Sequence, residues 1–344
     1  MCVKKVSLVI PCYNIESTKS NSFKKTVDSI RNQSFGFEDI ELILVDDCST
    51  DKTRDILNNY AEKYDNVKLF STKNNSGGPS IPRNIGIKKA SADYILFLDE
   101  DDILLPKTVE LLYNQISIND YDFVKINFNI VNNGTIRRNN VGIDEDIIIK
   151  PYSNDFQYCS LYIWDGIYKK SFLLDNNIFF ENVRCEDYLF MISCICKTKK
   201  EVCALNSVEG INYNADNQNS ISHNCFNTIN LEEHIFSSSK LLDLVECYPF
   251  DEYYKKYIAS IFKFSGMIYL FYNSTDERKK MYELFYSFLK EYKKYKLIKI
   301  NEMKYFHYLY WKLVYLLIVY NKKFLLFSFL NLTNKFKRTD RQVL

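Results

Sequence analysis

Residues 94–102 read Tyr-Ile-Leu-Phe-Leu-Asp-Glu-Asp-Asp, an apolar run that ends in four consecutive acids. A short apolar run with a polar end predicts a buried β-strand that stops at the edge of a sheet. Four adjacent carboxylates repel one another unless a cation or a basic group neutralises them. The stretch therefore predicts both a strand and a charged site where that strand ends.

The first 130 residues alternate β-rich runs with helical patterns. Further strands are predicted at Val6–Ile10, Glu41–Val45, Val67–Phe70 and Phe123–Phe128. Apolar residues recur at helical spacing between them, as in Phe23, Val27 and Ile30; Ile56, Leu57 and Tyr60; Pro82–Ala90; and Val109, Leu112 and Ile116. This alternation implies βαβ units, and hence an α/β fold with a mostly parallel, Rossmann-like sheet flanked by helices.

Polar clusters follow three of the predicted strands, at Pro11–Asn14, Asp46–Asp51 and Asp99–Asp102. In parallel sheets, ligands bind beyond the carboxyl ends of the strands. The convergence of three such ends on one edge predicts a site there. Carboxylate oxygens suit Mg²⁺ or Mn²⁺; the alternative for the acids is a solvated turn that caps the helix near Pro106.

Two of the segments offer groups for a nucleotide. Asp47 can accept a hydrogen bond from a nucleobase N–H, and Tyr13 can stack on the base, while Ser49 or Asp51 can simply cap the next helix. Arg83 stands in the first turn of a predicted helix, against the preference of the helix dipole. An anionic ligand such as a diphosphate would explain its position. The alternative is that Gly77 and Gly78 form an ordinary turn and Arg83 lies on the surface.

Four segments in order, Val6–Asn14, Glu41–Asp51, Gly77–Gly86 and Ala92–Pro106, resemble the nucleotide-binding half of family 2 glycosyltransferases. The resemblance implies a GT-A nucleotide-diphospho-sugar transferase fold and inverting, metal-dependent transfer. It also implies a catalytic domain over residues 1–230, with a nucleotide-binding half at 1–130 and an acceptor half at 131–230. Residues 231–344 are predicted to form a helical, aromatic and basic appendage.

The resemblance assigns roles by position. The implied nucleotide-binding residues are Pro11, Tyr13, Asn14, Asp47, Gly78, Arg83, Asp99 and Glu100. Asp101 would ligate Mn²⁺ or Mg²⁺, with Asp99 and His223 as further candidates. Asn214 stands where relatives often carry an arginine, so the group that covers the leaving diphosphate is left open.

The second half of the implied domain supplies the chemistry. Asp187 would be the general base, and Glu186 would orient it or bind an acceptor hydroxyl. The alternative for this pair is negative charge at the start of a helix. Trp164 matches an aromatic position near the acceptor and the donor sugar. The donor would be a UDP-sugar, and the acceptor a saccharide or polyprenyl-linked saccharide in surface polysaccharide synthesis.

The C-terminal region differs in charge from the rest. Residues 278–344 hold 16 Lys and Arg against 4 Asp and Glu, in a chain of net charge +2. A core-facing helical pair is one interpretation, and an amphipathic surface on anionic lipid is the other. Nucleic-acid binding is not expected, because the basic residues are spread among large apolar ones. A homo-oligomer is compatible with the sequence.

Other classes of protein fit less well. The first strand is not followed by Gly-x-Gly-x-x-Gly, which disfavours a dehydrogenase, or by a basic glycine-rich loop, which disfavours a nucleotidyltransferase. Ten cysteines form no Cys-x-x-Cys pair, and Val6–Ile10 is too short for a signal peptide. We therefore expect a cytoplasmic protein, peripheral on the inner membrane face if lipid is bound. An inactive nucleotide-sugar or glycan-binding module is the alternative function.

Overall fold

The structure is a computed structural model of the chain, and it describes residues 4–18, 20–183, 186–216, 228–255 and 257–258. The chain divides into two compact units, Met1–Ser220 and Ile221–Leu344. The predicted domain boundary after residue 230 stays a prediction, because most of the second unit lies outside the described residues.

The described part of the first unit is built around a ten-stranded sheet with helices packed on it. The strands are β1 Val6–Cys12, β2 Ile40–Asp46, β3 Val67–Ser71, β4 Tyr94–Phe97, β5 Ile103–Leu104, β6 Phe123–Asn132, β7 Thr135–Arg138, β8 Ile147–Ile149, β9 Gly166–Lys169 and β10 Val202–Asn214. The helices of this unit are α1 Ile15–Thr18, α2 Ser20–Arg31, α3 Thr53–Lys63, α4 Ser80–Lys89, α5 Thr108–Asn119, α6 Lys170–Asp175 and α7 Glu186–Lys197.

The strand order is β3-β2-β1-β4-β9-β6-β10-β5, with β7 beside β6 and β8 beside β10. The first four strands are parallel, as predicted. Beyond them β9 runs antiparallel between β4 and β6, and β10 is parallel to β6. The predicted α/β class is confirmed, and the sheet is mixed because β9 runs antiparallel between β4 and the next predicted strand, β6.

The parallel strands are apolar because helices cover both faces of such a sheet. All seven residues of β2 are buried. Helix α4 packs so close to β1 that a Cβ atom at Gly86 would lie 2.2 Å from Cγ1 of Val9. Gly86 therefore fixes how near α4, and the side chains it carries, can approach the carboxyl end of β1.

The described part of the second unit contains helix α8, Thr228–Glu246, which buries Leu241, Leu242 and Val245. Among the described residues, no helix combines the length and the apolar character that crossing a bilayer requires. The basic residues 278–344, predicted to pack as core or to contact lipid, lie beyond the described residues, so both interpretations stay predictions.

Candidate active site

The three predicted polar clusters lie at one edge of the sheet. Cys12 at the end of β1 is opposite Asp46 at the end of β2. On the other side of β1, Val9 is opposite Phe97, two residues before the first acid, Asp99. The parallel register thus brings the segments after β1, β2 and β4 side by side, as the sequence predicts.

The loops after β1 and β2 are tied to each other by Asn14. Its backbone N–H donates to Oγ of Ser49 at 3.1 Å, and its side-chain oxygen accepts from the backbone N–H of Thr50 at 2.9 Å. Asn14 has a φ of 47°, a left-handed conformation that asparagine tolerates better than most residues. Its structural role here is to hold the loops together. The neighbouring Tyr13 is 42% exposed, so a base could stack on its ring.

Asp47 is buried, and both of its carboxylate oxygens are engaged. Thr72 Oγ1 donates to Oδ1 at 2.9 Å, while Ser76 donates to Oδ2 from its backbone N–H at 3.0 Å and from its hydroxyl at 2.8 Å. These donors come from the segment that precedes Gly78. Asp47 therefore fixes the position of the glycine turn, where an added Cβ at Gly78 would meet nothing within 4 Å.

The acidic run divides into two buried and two accessible side chains. Glu100 is buried and accepts from the backbone N–H of Tyr13 at 3.0 Å. Asp102 is buried and accepts from the backbone N–H of Asn214 at 2.8 Å. Asp99 and Asp101 remain partly exposed. The repulsion between four acids is thus reduced by using two of them to fasten neighbouring segments.

Arg83 on α4 joins the acidic run to the second predicted acidic pair. Its guanidinium is 2% exposed and donates to Asp99 Oδ1 at 2.7 Å, to Glu186 Oε1 at 3.0 Å and to Asp187 Oδ1 at 3.1 Å. Burial would lower the pKa of Arg83, but the three carboxylates outweigh it and raise the pKa. The anionic groups that contact this arginine in the structure are carboxylates of the protein itself, and its predicted contact with a diphosphate stays a prediction.

The Asp187 carboxylate lies in the first turn of α7 and has an unusual environment. Burial raises its pKa well above the ordinary value, and the adjacent Glu186 carboxylate adds to the effect, while Arg83 opposes it. Its side chain is still 23% exposed. A carboxylate with a raised pKa that remains accessible is suited to accept a proton as a general base.

Trp164 lies inside a group of aromatic rings. Its ring centroid is 5.0 Å from that of Tyr162 and 5.2 Å from that of Tyr213, and both pairs are stacked. Trp164 is only 2% exposed, whereas Tyr162 is 38% exposed. The predicted acceptor contact through Trp164 is untested. Within this ring group, Tyr162 offers the larger accessible surface, and the sequence reasoning missed it.

The sequence reasoning also missed a buried ion pair that contacts the segment carrying Tyr162 and Trp164. Lys125 on β6 pairs with Asp165, and its ammonium also donates to the backbone carbonyl of Tyr162. The signal in the sequence was a lysine inside the apolar strand Phe123–Phe128. A charged residue at a buried strand position requires a partner, but the sequence does not show which one.

Similarity to known proteins identifies the family of the chain. The family model described as Glycosyl transferase family 2 matches residues 7–169. An uncharacterized glycosyltransferase of Haemophilus influenzae is 31% identical over 205 residues, which are 57% of this chain and 74% of that protein.

The chain belongs to glycosyl transferase family 2.

Other similarities of this family 2 chain are more partial. The poly(ribitol-phosphate) beta-glucosyltransferase of Bacillus spizizenii is 35% identical over 201 residues, 57% of this chain and 30% of that enzyme. The chain thus matches under a third of that relative's length. The crystal structure of S. aureus TarS in complex with UDP superposes with a TM-score of 0.67 at 23% identity, covering 83% of this chain and 80% of that one. This likeness to the TarS structure confirms the predicted fold.

The family 2 chain offers oxygen ligands for the expected metal. Among the described residues, no three side chains of His, Cys, Asp and Glu are grouped to hold an ion. Asp99 and Asp101 supply hard oxygen donors at the sheet edge, and Mg²⁺ is often held by one or two carboxylates together with substrate phosphates. These two residues therefore fit such an ion, and metal dependence stays a prediction. His223 lies outside the described residues.

Proposed function

We propose that the chain is an inverting glycosyltransferase that moves a sugar from a UDP-sugar to an acceptor hydroxyl in the synthesis of a bacterial surface polysaccharide. The observation that carries this proposal is the Arg83 guanidinium, which binds Asp99 of the acidic run and Asp187 of α7 at once. It holds the predicted base beside the predicted diphosphate site. The relatives that act on poly(ribitol-phosphate) and the TarS complex with UDP support this choice of substrates.

The proposed reaction is a single displacement. The Asp187 carboxylate takes the proton of an acceptor hydroxyl, and the hydroxyl oxygen attacks the anomeric carbon of the donor sugar. The bond from that carbon to the diphosphate oxygen breaks, and its electron pair leaves with the nucleoside diphosphate. Attack from the face opposite the leaving group inverts the anomeric configuration. The raised pKa of Asp187 brings its basicity closer to working pH, where general bases are most effective.

On the donor side, Pro11, Tyr13 and Asp47 would bind the nucleobase, and Asp99 would bind the ribose. The exposed Tyr13 ring can cover one face of the base. Thr72 and Ser76 hold the Asp47 carboxylate in a fixed orientation, which lowers the ordering cost when a nucleobase N–H is bound.

Asp99 and Asp101 are the residues that would hold Mn²⁺ or Mg²⁺, whose charge stabilises the departing diphosphate when the ion is bound. Arg83 also contacts Asp99, so the orientation of that carboxylate does not depend on the ion alone. A lipid-linked acceptor would place the chain at the inner membrane face, for which the basic residues 278–344 are suited.

The test is a screen of UDP-glucose, UDP-N-acetylglucosamine and other nucleotide-sugars, with poly(ribitol phosphate) among the acceptors and with or without Mn²⁺. We expect Asp187→Asn to lower transfer about 10²- to 10⁴-fold and Asp101→Asn to lower it together with the response to Mn²⁺. Asp120→Asn is the matched control, because Asp120 is an exposed aspartate that pairs with Lys169 and Lys200. Wild-type activity in both site variants would overturn the proposed mechanism.

A further inference from the structure

The Lys125 ammonium is buried at a junction of three segments. Lys125 is 2% exposed and Asp165 is fully buried. Besides the Asp165 carboxylate, the ammonium donates to the Tyr162 carbonyl and lies 3.9 Å from the sulfur of Met191 on α7. It therefore connects strand β6, the segment that carries Tyr162 and Trp164, and the helix that carries Asp187.

Stability does not account for this ion pair. Desolvating two charges costs several kcal/mol per ion, and apolar residues of similar volume often replace such pairs without loss of stability. Burial raises the pKa of Asp165, and the charge of Lys125 opposes the shift. The packing around Lys125 is close, since a Cβ at position 166 would lie 2.9 Å from both the Lys125 side chain and the Val124 backbone oxygen.

The ion pair contacts α7, the helix that carries Asp187. Met191 follows Asp187 by four residues in α7, so both side chains lie on one face of that helix. Tyr168, on β9, donates its hydroxyl to the Ile163 carbonyl at 2.9 Å and lies 3.3 Å from the same sulfur. Two hydrogen bonds thus hold the Tyr162–Ile163 backbone to Lys125 and Tyr168, and the donor atoms of these two side chains lie 3.9 Å and 3.3 Å from the Met191 sulfur on α7.

The Tyr162 ring is 38% exposed. Burial raises the pKa of its phenol, and the Asp187 charge contributes to the shift. The ring stacks on Trp164 and meets Phe128 edge-on with 5.5 Å between centroids. An aromatic face of this kind can pack on the C–H groups of a saccharide or polyol, because its negative face attracts their positive edge.

We propose that Lys125 and Asp165 are positioning residues of the transfer reaction, which hold the Tyr162 ring beside Asp187 so that it receives the acceptor. This inference rests on the proposed function. Lys125 and Asp165 act through Tyr162 and α7, and they do not touch the donor. Loss of the pair moves the acceptor surface while leaving the nucleotide site intact.

The test compares stability with kinetics in Lys125→Met, Asp165→Asn and the double variant. Each single change leaves a buried charge without its partner, so both should lower the melting temperature, and the double variant should recover most of the loss. We expect the double variant to keep a raised acceptor KM, by about 10- to 100-fold, with unchanged UDP affinity and unchanged hydrolysis of the donor. Lys169→Met/Asp120→Asn, the same change at an exposed ion pair, is the control and should leave KM unaltered.

A second readout needs no transfer activity. The chain has two tryptophans, so Trp311→Phe leaves Trp164 as the only one. In that background the double variant should increase quenching of Trp164 fluorescence by acrylamide, because the rings are no longer held, and unchanged quenching would overturn the proposal. Tyr162→Ala should reproduce the raised acceptor KM, and a wild-type KM there would overturn it as well. Absence of transfer by the wild-type chain would instead count against the proposed function, while Trp164 quenching still decides whether Lys125 and Asp165 hold the rings.

Discussion

Two regions beside the same sheet edge are held together in different ways. The hydrogen-bonded loops, residues 11–14, 46–51 and 72–78, are joined mainly by neutral donors, such as those of Ser76 and Thr72 to Asp47. The ionic groups around Asp187 depend on two buried cations, Arg83 with three carboxylates and Lys125 with Asp165.

The two regions should respond differently when one hydrogen-bond donor or one charged partner is removed. A hydrogen bond from a neutral donor to a carboxylate contributes about 1.5–3 kcal/mol, and other donors in the loops remain when one is removed. Removing one partner of a buried ion pair leaves an uncompensated charge and costs about 3–5 kcal/mol. The loops should therefore tolerate substitution, whereas the ionic groups should fail as units and change the chemistry at Asp187.

The largest effect is expected for Arg83→Met. The free energy of unfolding should fall by about 3 kcal/mol, the lower end of the range for a broken buried pair, because the three carboxylates keep some solvent exposure. Arg83 lowers the pKa of Asp187, so its loss should raise that pKa further. A base must be deprotonated to act, so the rising limb of the pH–rate profile should move to higher pH.

Urea unfolding and kcat/KM measured against pH test this prediction. Arg83→Lys is the control that retains the charge but cannot donate to several carboxylates from one planar group. It should fall between the wild type and Arg83→Met in stability. A pH–rate profile that is identical in Arg83→Met and the wild type would show that the arginine does not tune Asp187.

The contrast between these regions also explains what could be predicted from the sequence. Strands β1 to β4 and the helices between them follow from local periodicity, and the parallel register then places Asp46 and the acidic run at one edge. Arg83 indicated an anionic partner because it opposes the helix dipole. Its partners Glu186 and Asp187 are more than 100 residues away, so no local pattern identifies them.

The insertion of β9 could not be predicted for the same reason. Residues 166–169 are a short segment whose place between β4 and β6 depends on long-range pairing. The partner of Lys125 depends on the same long-range pairing, because Asp165 directly precedes β9. Local pattern therefore predicts the hydrogen-bonded loops well and the ionic groups only in part.

An intermediate effect is expected for Gly86→Ala on helix α4, which follows the loop 72–78 and carries Arg83. Gly86→Ala places a Cβ atom against Val9, and overpacking of this kind typically costs about 1–3 kcal/mol. The helix must shift from β1, and Arg83 shifts with it, so activity should fall along with stability. Thermal unfolding and kcat measure the two effects.

Gly78→Ala is the matched control on the same segment, because an added Cβ there meets nothing within 4 Å. Its melting temperature should stay near that of the wild type. Val9→Ala combined with Gly86→Ala should recover part of the loss by vacating the space. If Gly86→Ala is as stable as Gly78→Ala, the close approach of α4 does not set the position of Arg83.

The smallest effect is expected for Ser76→Ala in the hydrogen-bonded loops. The variant loses the hydroxyl donor to Asp47 but keeps the backbone N–H at 3.0 Å and the Thr72 donor. The free energy of unfolding should fall by about 1.5 kcal/mol, the lower end of the range for a hydrogen bond to a charged group, because the other donors remain. Ser171→Ala at an exposed helical position should be neutral. UDP affinity, measured by calorimetry, should weaken modestly because the Asp47 carboxylate is less fixed, while the pH–rate profile stays that of the wild type. A loss of stability as large as that of Arg83→Met would mean that the loops, like the ionic groups, fail as a unit, since the remaining donors could not then compensate for a single hydroxyl.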